Sequence, residues 1–271
     1  MPLFDKIMLK SAQLKIIGAA AAVVLSLGTI VPAAQAAEGE AAPKEQNWSF
    51  GGFFGTFDRA SAQRGFQVYK EVCSNCHSMK LMYFRDLTGL GFNENEVKAI
   101  AAEYKVADTN DAGEPIERTA LPADPFHNPF PNDKAAAAAN GGKTPPDLSL
   151  MAKARGEGGE TDGPNYIYAF LTGFHDAPEG FKVPDGLNYN AAFPGHVTAM
   201  PNMITDDAVT YTDGTKATHE QEAWDVVNFL MWTAEPSLED RKHIGIKVIL
   251  FLIVFAGLLY AVKRKVWANA H

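Results

Sequence analysis

The 271-residue chain contains two cysteines, Cys73 and Cys76, so no framework of disulfide bridges can hold its fold together. Basic residues are also scarce, with 24 Lys and Arg against 32 Asp and Glu, and the formal net charge is −8. Nucleic-acid-binding proteins need a basic footprint, so this balance argues against that class. Hydrophobic residues make up 46% of the chain, which excludes a disordered or collagen-like protein.

The charge is unevenly distributed. Residues 37–240 contain 15 basic and 31 acidic side chains, a net charge of −16, and the two ends of the chain are positive. This imbalance predicts a cationic partner for the middle section. The alternative is that the acidic surface serves solubility alone.

The N-terminus has the pattern of a secretory signal. Three lysines within the first 15 residues precede an apolar run over 16–31, and Ala34-Gln35-Ala36 is a small-x-small cleavage site. The pattern predicts that residues 1–36 are a cleaved signal peptide. The alternative is a membrane anchor that stays attached.

A second apolar run lies near the C-terminus. Residues 244–262 contain one charge, Lys247, and a basic cluster, Lys263-Arg264-Lys265, follows at once. Nineteen residues nearly span the hydrocarbon core of a bilayer, and the cluster obeys the positive-inside rule. The sequence therefore predicts a transmembrane anchor over 241–265. The basic flank and the terminal position disfavour a short core helix.

These two segments define a topology. Residues 37–240 are predicted to form one domain outside the cytoplasm, with a short cytoplasmic tail over 266–271. The chain would be a single-pass membrane protein with its C-terminus in the cytoplasm.

The predicted domain is mainly α-helical, with long irregular connections. Loops of this length count against a compact domain unless something else, such as a large cofactor, fills the core. A hairpin is possible near Asp213-Gly214, within the loop-rich segment 174–217, and 106–147 also has the composition of long loops. Four helices are predicted. Asp58 is the N-cap of a helix that runs toward Cys73, and Asn93 and Glu96 form a capping box at the start of a second. A short third helix lies around Tyr166–Thr172, and Thr218 and Gln221 form a capping-box pattern at the start of a fourth, which ends at Pro236.

Cys73-Ser-Asn-Cys76-His77 fits C-x-x-C-H, the sequence to which c-type haem is attached. Two thiols at this spacing can each add to one vinyl group of the same porphyrin, and the adjacent histidine then supplies an axial nitrogen. A thioredoxin-like motif needs a βαβ context, and a structural zinc site needs four ligands. Neither requirement is met, so the motif predicts one covalent haem.

The second axial ligand is less defined by the residues alone. Met200 precedes Pro201, which restricts it to the extended geometry of a side chain presented across a cofactor. Met203 is a nearby rival, and a histidine is a further alternative. Arg155 is a candidate partner for the haem propionates, although an isolated arginine is more often solvated. The histidines in question are His127, His175, His196 and His219.

From about Trp48 to Trp267 the chain resembles the cytochrome c1 family, the haem subunits of the quinol–cytochrome c oxidoreductase or cytochrome bc1 complex. The resemblance is far more specific than C-x-x-C-H and includes the anchor. It is carried by Arg64–Met79, Ala139–Ser149, Tyr166–Gly173, Gly186–Asn190, Phe193–Gly195, Ala199–Pro201, Glu235–Pro236 and Arg241–Lys242.

The resemblance implies a cytochrome c-like haem domain with long loop insertions and assigns its site. The haem c thioethers fall on Cys73 and Cys76, and the axial ligands of the iron on His77 and Met200. In this chain Asn202-Met203 interrupts the proline-rich sequence that often follows the methionine in the family, which keeps Met203 as a competitor. The other implied haem-binding residues are Arg155, Pro146, in the loop beside the proximal histidine, and Tyr166.

The resemblance also implies a function. The subunit would accept an electron from the Rieske iron–sulfur subunit and pass it to a soluble basic c-type cytochrome, while its anchor packs beside the cytochrome b subunit of a dimeric complex. It would not be an enzyme on its own. The alternatives are a haem enzyme with an open sixth coordination site and a membrane-tethered haem sensor.

Overall fold

The computed structural model describes residues 43–269, and the predicted signal peptide lies outside them. The described chain is mainly helical, with two small antiparallel β-pairs. The helices are α1 (Arg59–Glu71), α2 (Glu94–Ala102), α3 (Asp133–Ala139), α4 (Met151–Ala154), α5 (Asp162–Thr172), α6 (His219–Ala234) and α7 (Leu238–Trp267). The strands are β1 (Lys105–Thr109), β2 (Pro115–Thr119), β3 (Asn188–Tyr189) and β4 (Val197–Thr198), and short 3-10 helices span Cys73–Asn75, Phe84–Leu90 and Pro194–His196.

Helices α1 and α6 pack against each other and form the centre of the core. The Phe66 and Tyr69 rings of α1 lie 5.6 and 5.7 Å, centroid to centroid, from the ring of Phe229 on α6. Eleven of the sixteen residues of α6 are buried, since α4 and α5 also pack on this helix. Burial of this apolar surface is the main force that orients α1, whose C-terminal end leads into the C-x-x-C-H motif.

Three helix starts predicted from the sequence are confirmed. The Asp58 carboxylate accepts a hydrogen bond from the Ser61 amide at 3.1 Å, and Thr218 caps α6 by accepting from the Gln221 amide at 3.2 Å. Asn93 and Glu96 form a full capping box at the start of α2, with Glu96 Oε2 accepting from the Asn93 amide at 2.7 Å. Each cap satisfies amides that the first helical turn would otherwise leave unpaired.

Two predictions about irregular segments were wrong. The stretch 106–147 is not wholly loop, because β1 and β2 form a hairpin within it and α3 follows at Asp133–Ala139. No strands flank Asp213-Gly214, where the chain makes only a turn, and the second pair is β3 with β4. The hairpin is exposed along nearly its whole length, so it lacks the alternating apolar face that predicts a strand.

Helix α7 extends away from the domain. Leu238 is fully buried, whereas the side chains from Val248 to Val262 face outward as one continuous apolar surface. Its 30 residues give a length of about 45 Å, enough to cross a bilayer with its interfaces. The helix fits a single-pass membrane anchor and is longer than the predicted segment 241–265.

Candidate functional site

The C-x-x-C-H motif forms a tight turn at the end of α1. The carbonyl of Cys73 accepts hydrogen bonds from the amides of Cys76, at 3.1 Å, and His77, at 2.9 Å. Ser74 and Asn75 donate side-chain hydrogen bonds back to carbonyls at the end of α1, to Lys70 and Glu71 respectively. The turn therefore follows α1 directly and holds both thiols and the imidazole within five consecutive residues, Cys73–His77.

The two thiols are half-buried and form no disulfide with each other. Burial raises the pKa of the Cys73 thiol to about 12, which keeps it protonated at neutral pH. A structural zinc site would need two further donor side chains beside these thiols. Within residues 43–269, moreover, no group of three or more His, Cys, Asp or Glu side chains is placed to hold a metal ion.

The His77 ring is oriented by a backbone carbonyl. Its Nδ1 lies 2.8 Å from the carbonyl oxygen of Pro146, and because that oxygen can only accept, Nδ1 carries the proton and Nε2 keeps its lone pair. Burial lowers the pKa of His77, with the carbonyl and Asp147 opposing the shift, so the neutral ring is favoured. A neutral imidazole with a free Nε2 is the form that binds iron.

Asp147 clamps the Pro146 segment to the histidine segment, and the sequence analysis missed it. Its carboxylate accepts hydrogen bonds from the Ser78 hydroxyl at 2.7 Å, the Lys80 amide at 2.8 Å and the Ser149 amide at 2.9 Å. Burial opposes ionisation, but these bonds outweigh it and hold the pKa of Asp147 below its ordinary value. The charged carboxylate thus fixes the carbonyl that orients His77.

Met200 and Met203 occupy different environments. Met200 follows strand β4, is half-buried and packs against the hydrophobic core, and its amide donates to the Thr198 hydroxyl at 3.2 Å. Met203 is 41% exposed. A thioether ligand of a buried haem must itself face the interior, so the burial difference favours Met200.

Buried Asn190 ties the Met200 segment to α5. Its side-chain amide donates to the carbonyl of Phe170 at 2.7 Å, and its backbone amide donates to the carbonyl of His196 at 3.0 Å. Asn190 ends the Gly186–Asn190 stretch of the resemblance, but the sequence assigned it no role, because its side-chain partner Phe170 lies twenty residues earlier. The side-chain oxygen accepts from the Ala192 amide at 3.0 Å, so both polar groups of the buried side chain are bonded and fix the loop that carries Met200.

The remaining predicted site residues lie on α4 and α5. Arg155 caps the C-terminal end of α4 and is exposed, and within the described part of the chain its guanidinium has no ion-pair partner. Tyr166 is half-buried on α5, with its ring 6.3 Å from that of Phe170. Hydrogen bonds join His77 to Pro146, but across residues 43–269 none joins His77 directly to Met200 or Arg155.

The donor set fits a c-type haem. It comprises two half-buried thiols that are not paired as a disulfide, an imidazole nitrogen with a free lone pair, and an inward-facing thioether. Thioether attachment uses the thiols, and a histidine–methionine pair is one of the standard axial sets of cytochromes c.

Comparison with known proteins decides the family. A family model described as the cytochrome C1 family matches residues 48–270. The chain belongs to the cytochrome c1 family. It is 47% identical over 267 residues to a cytochrome c1 of Rhodospirillum rubrum, a match that covers 92% of this chain and 95% of that protein.

Two other relatives place the family in a larger assembly. The chain is 48% identical over 269 residues to "Cytochrome b/c1" of Bradyrhizobium diazoefficiens, covering 93% of this chain but only 39% of that longer protein. It is 45% identical over 234 residues to the "Cytochrome b-c1 complex catalytic subunit, mitochondrial" of Candida albicans, covering 86% and 80% of the two chains. Cytochromes c1 carry covalent haem c, and this chain has the two cysteines at the spacing that attachment requires.

Proposed function

We propose that this chain is the electron-transfer subunit of a quinol–cytochrome c oxidoreductase, which accepts one electron from the Rieske iron–sulfur subunit and delivers it to a soluble c-type cytochrome. The observation that carries the proposal is the hydrogen bond from His77 Nδ1 to the Pro146 carbonyl. It leaves Nε2 free beside two attachment thiols, in a chain of the cytochrome c1 family.

Each site residue has a proposed role. Cys73 and Cys76 hold the haem through thioethers, and His77 and Met200 are the axial ligands. Once bound, the haem supplies one-electron chemistry between ferric and ferrous iron. Pro146 orients His77, Arg155 offers its guanidinium to a propionate, and Tyr166 contributes to the wall of the haem pocket from α5.

The ligand pair matches electron transfer better than catalysis. His77 and Met200 both come from segments tied to the core, which supports a site where both ligands stay bound through the redox cycle. A thioether ligand favours the reduced iron and raises the potential, which makes the subunit a ready electron acceptor. A haem enzyme would instead need an open or weakly held sixth position.

The proposed topology places the haem domain on the periplasmic side of a bacterial inner membrane. Residues 1–36 direct export, α7 crosses the bilayer beside the cytochrome b subunit of a dimeric complex, and residues 266–271 lie in the cytoplasm. The basic cluster Lys263–Lys265 at the end of α7 supports this orientation. The acidic excess of residues 37–240 supports a basic soluble cytochrome as the acceptor.

The test is the haem midpoint potential of the full-length chain in detergent, compared between wild type, Met200→Leu and the matched control Met203→Leu. We expect a positive wild-type potential that falls by on the order of a few hundred millivolts in Met200→Leu and stays unchanged in Met203→Leu. A fall in Met203→Leu instead would move the ligand to Met203. A low wild-type potential with rapid cyanide binding would favour the enzyme alternative and contradict electron transfer.

A further inference from the structure

Two phenylalanines protrude from the domain next to α7. Phe53 and Phe54 are 58% and 80% exposed, and their rings meet edge to face at 5.0 Å. They lie in the longest uncharged stretch near the start of the described chain, residues 46–57. Exposure of two neighbouring aromatic rings to water is unfavourable, and such an exposed pair is typical of a contact with an apolar surface.

The backbone fixes this outward presentation. The Gly55 amide donates to the Gly52 carbonyl at 3.3 Å, and the Thr56 amide donates to the Ser49 carbonyl at 3.0 Å, so the two rings occupy the tip of a closed turn. Gly55 has no room for a side chain, since a Cβ there would lie 2.2 Å from the Gly51 carbonyl oxygen. These contacts fix the shape of the loop. We call this loop, residues 49–56, the aromatic tip.

The base of the aromatic tip is fastened to the first turn and a half of α7. The ammonium of Lys242 donates to the carbonyl of Phe50 and lies 3.1 Å from the carboxylate of Glu160, and its side chain is only 7% exposed. From the other side, the Glu239 carboxylate accepts from the Phe57 amide at 2.7 Å. Phe50 itself is fully buried, stacked 5.5 Å from Trp48.

This attachment sets the height of the tip relative to a membrane. Ile244 is the first exposed apolar side chain of α7, at 58% exposure, and lies two residues beyond Lys242, a rise of about 3 Å. The continuous apolar surface follows from Val248, after Lys247. The aromatic tip is thus held where α7 leaves the domain and enters the bilayer. Aromatic and aliphatic side chains at this level reach into the boundary between headgroups and acyl chains.

We propose that the aromatic tip inserts Phe53 and Phe54 into the leaflet that α7 enters, as a second lipid contact of the haem domain. A single helix leaves the domain free to tilt about its exit point, whereas a second contact fixes the tilt. Lipid is the occupant that the geometry favours because the exposed rings lie on a loop whose base is bonded to Lys242 and Glu239, a few residues before the apolar surface of the anchor. The proposal does not depend on the identity of the electron donor or acceptor.

The test uses a nitroxide spin label on Phe54→Cys in the haem-loaded full-length chain, reconstituted into phosphatidylcholine–phosphatidylglycerol vesicles. Both native cysteines are consumed by the haem, so the new thiol labels alone, which a labelling ratio of one verifies. Matched labels at Ile249→Cys, on the apolar surface of α7, and Ala112→Cys, in the exposed hairpin turn, give the lipid and water references. The measurement is relaxation by oxygen, which concentrates in lipid, against relaxation by a water-soluble nickel chelate.

We expect the logarithm of the oxygen-to-nickel ratio to be positive at Phe54 and Ile249 and negative at Ala112. A water-like ratio at Phe54 would overturn the proposal. Shielding of the label from both reagents would also overturn it, since that result means a protein contact in place of lipid.

A second measurement tests the consequence for tilt. The double variant Phe53→Ser/Phe54→Ser and the control Leu121→Ser, which removes a 55% exposed leucine elsewhere, are compared in oriented membrane multilayers by the angular dependence of the haem paramagnetic signal. We expect the spread of haem orientations to widen in the double variant and to stay unchanged in the control. An unchanged spread in the double variant would contradict a fixed tilt.

Discussion

A Cβ atom at Gly65 would lie 1.9 Å from the carbonyl oxygen of Asp225, so α1 and α6 meet there backbone to backbone. Only glycine permits this approach. Because α1 runs directly into the turn that carries Cys73, the close contact also positions the haem-attachment thiols against the core. The same contact therefore packs α1 against α6 and determines where the C-x-x-C-H motif lies.

Gly65→Ala is expected to destabilise the domain, because the new methyl group must push two packed helices apart. Overpacking of this kind costs about 1–3 kcal/mol and more where backbone is the obstacle. The measurement is thermal unfolding of the full-length chain in detergent by far-ultraviolet circular dichroism. Gly257→Ala on α7, where a Cβ meets nothing within 4 Å, is the control and should leave the transition unchanged.

The Arg64–Asp225 ion pair beside Gly65 supports a second prediction. Asp225 is fully buried and accepts from Arg64 Nε at 2.8 Å and from the Ser61 hydroxyl at 2.6 Å. Asp225→Ala removes the buried partner of the Arg64 guanidinium and leaves the Ser61 hydroxyl unpaired, and is expected to lower the free energy of unfolding by about 3 kcal/mol. Asp213→Ala removes the exposed partner of the same arginine and should have little effect. Equal losses in urea denaturation would contradict this ranking.

Features formed by residues close together in the sequence could be predicted, whereas features formed by residues far apart in the chain could not. The capping box of Asn93 and Glu96 was predictable because both partners lie within one helical turn. Asp147 was missed because two of its hydrogen-bond donors, Ser78 and Lys80, lie nearly 70 positions away in the chain. The β1–β2 hairpin was missed because exposed strands need no apolar alternation. The C-x-x-C-H motif that ends at His77 could be recognised from the sequence because haem attachment fixes the spacing of its residues.

Glu222 on α6 carries a pH-dependent prediction. Its side chain is fully buried, Oε1 accepts from the Val209 amide at 3.0 Å, and burial raises the pKa of the carboxyl above its ordinary value. The neutral form is therefore favoured by folding, and the stability it contributes is complete below the unfolded pKa and is lost as pH rises through the folded pKa.

Glu222→Gln keeps the acceptor for Val209 without a charge, so we expect its melting temperature to exceed that of the wild type at pH 8 and to equal it at pH 4. The control is Glu220→Gln, an exposed neighbour on the same helix that should show no such divergence. A wild-type advantage at pH 8 would mean that the ionised carboxylate is stabilising and would contradict the sign.

Asp147 offers a test of how His77 is positioned. Asp147→Ala removes three hydrogen bonds that hold the Pro146 carbonyl segment, so the bond from His77 Nδ1 weakens and the imidazole becomes a poorer electron donor. We expect the midpoint potential to rise. Asp147→Asn keeps one acceptor oxygen and should fall between alanine and wild type. Unchanged potentials with reduced melting temperatures would assign Asp147 a purely structural role.

The acidic surface predicts salt-dependent electron delivery. Attraction between the domain and a basic cytochrome acts over the Debye length, about 10 Å at 0.1 M ionic strength, so raising the salt should slow the bimolecular rate. Stopped-flow reduction of a basic c-type cytochrome by the reduced full-length chain measures this dependence. Asp207→Asn neutralises an exposed carboxylate seven positions after Met200 in the chain and should weaken the dependence of the rate on salt concentration. Asp108→Asn is the control, because Asp108 already pairs with Arg118 and its charge is locally compensated. A rate indifferent to salt would contradict electrostatic steering, while equal effects of the two variants would show that only the net charge matters.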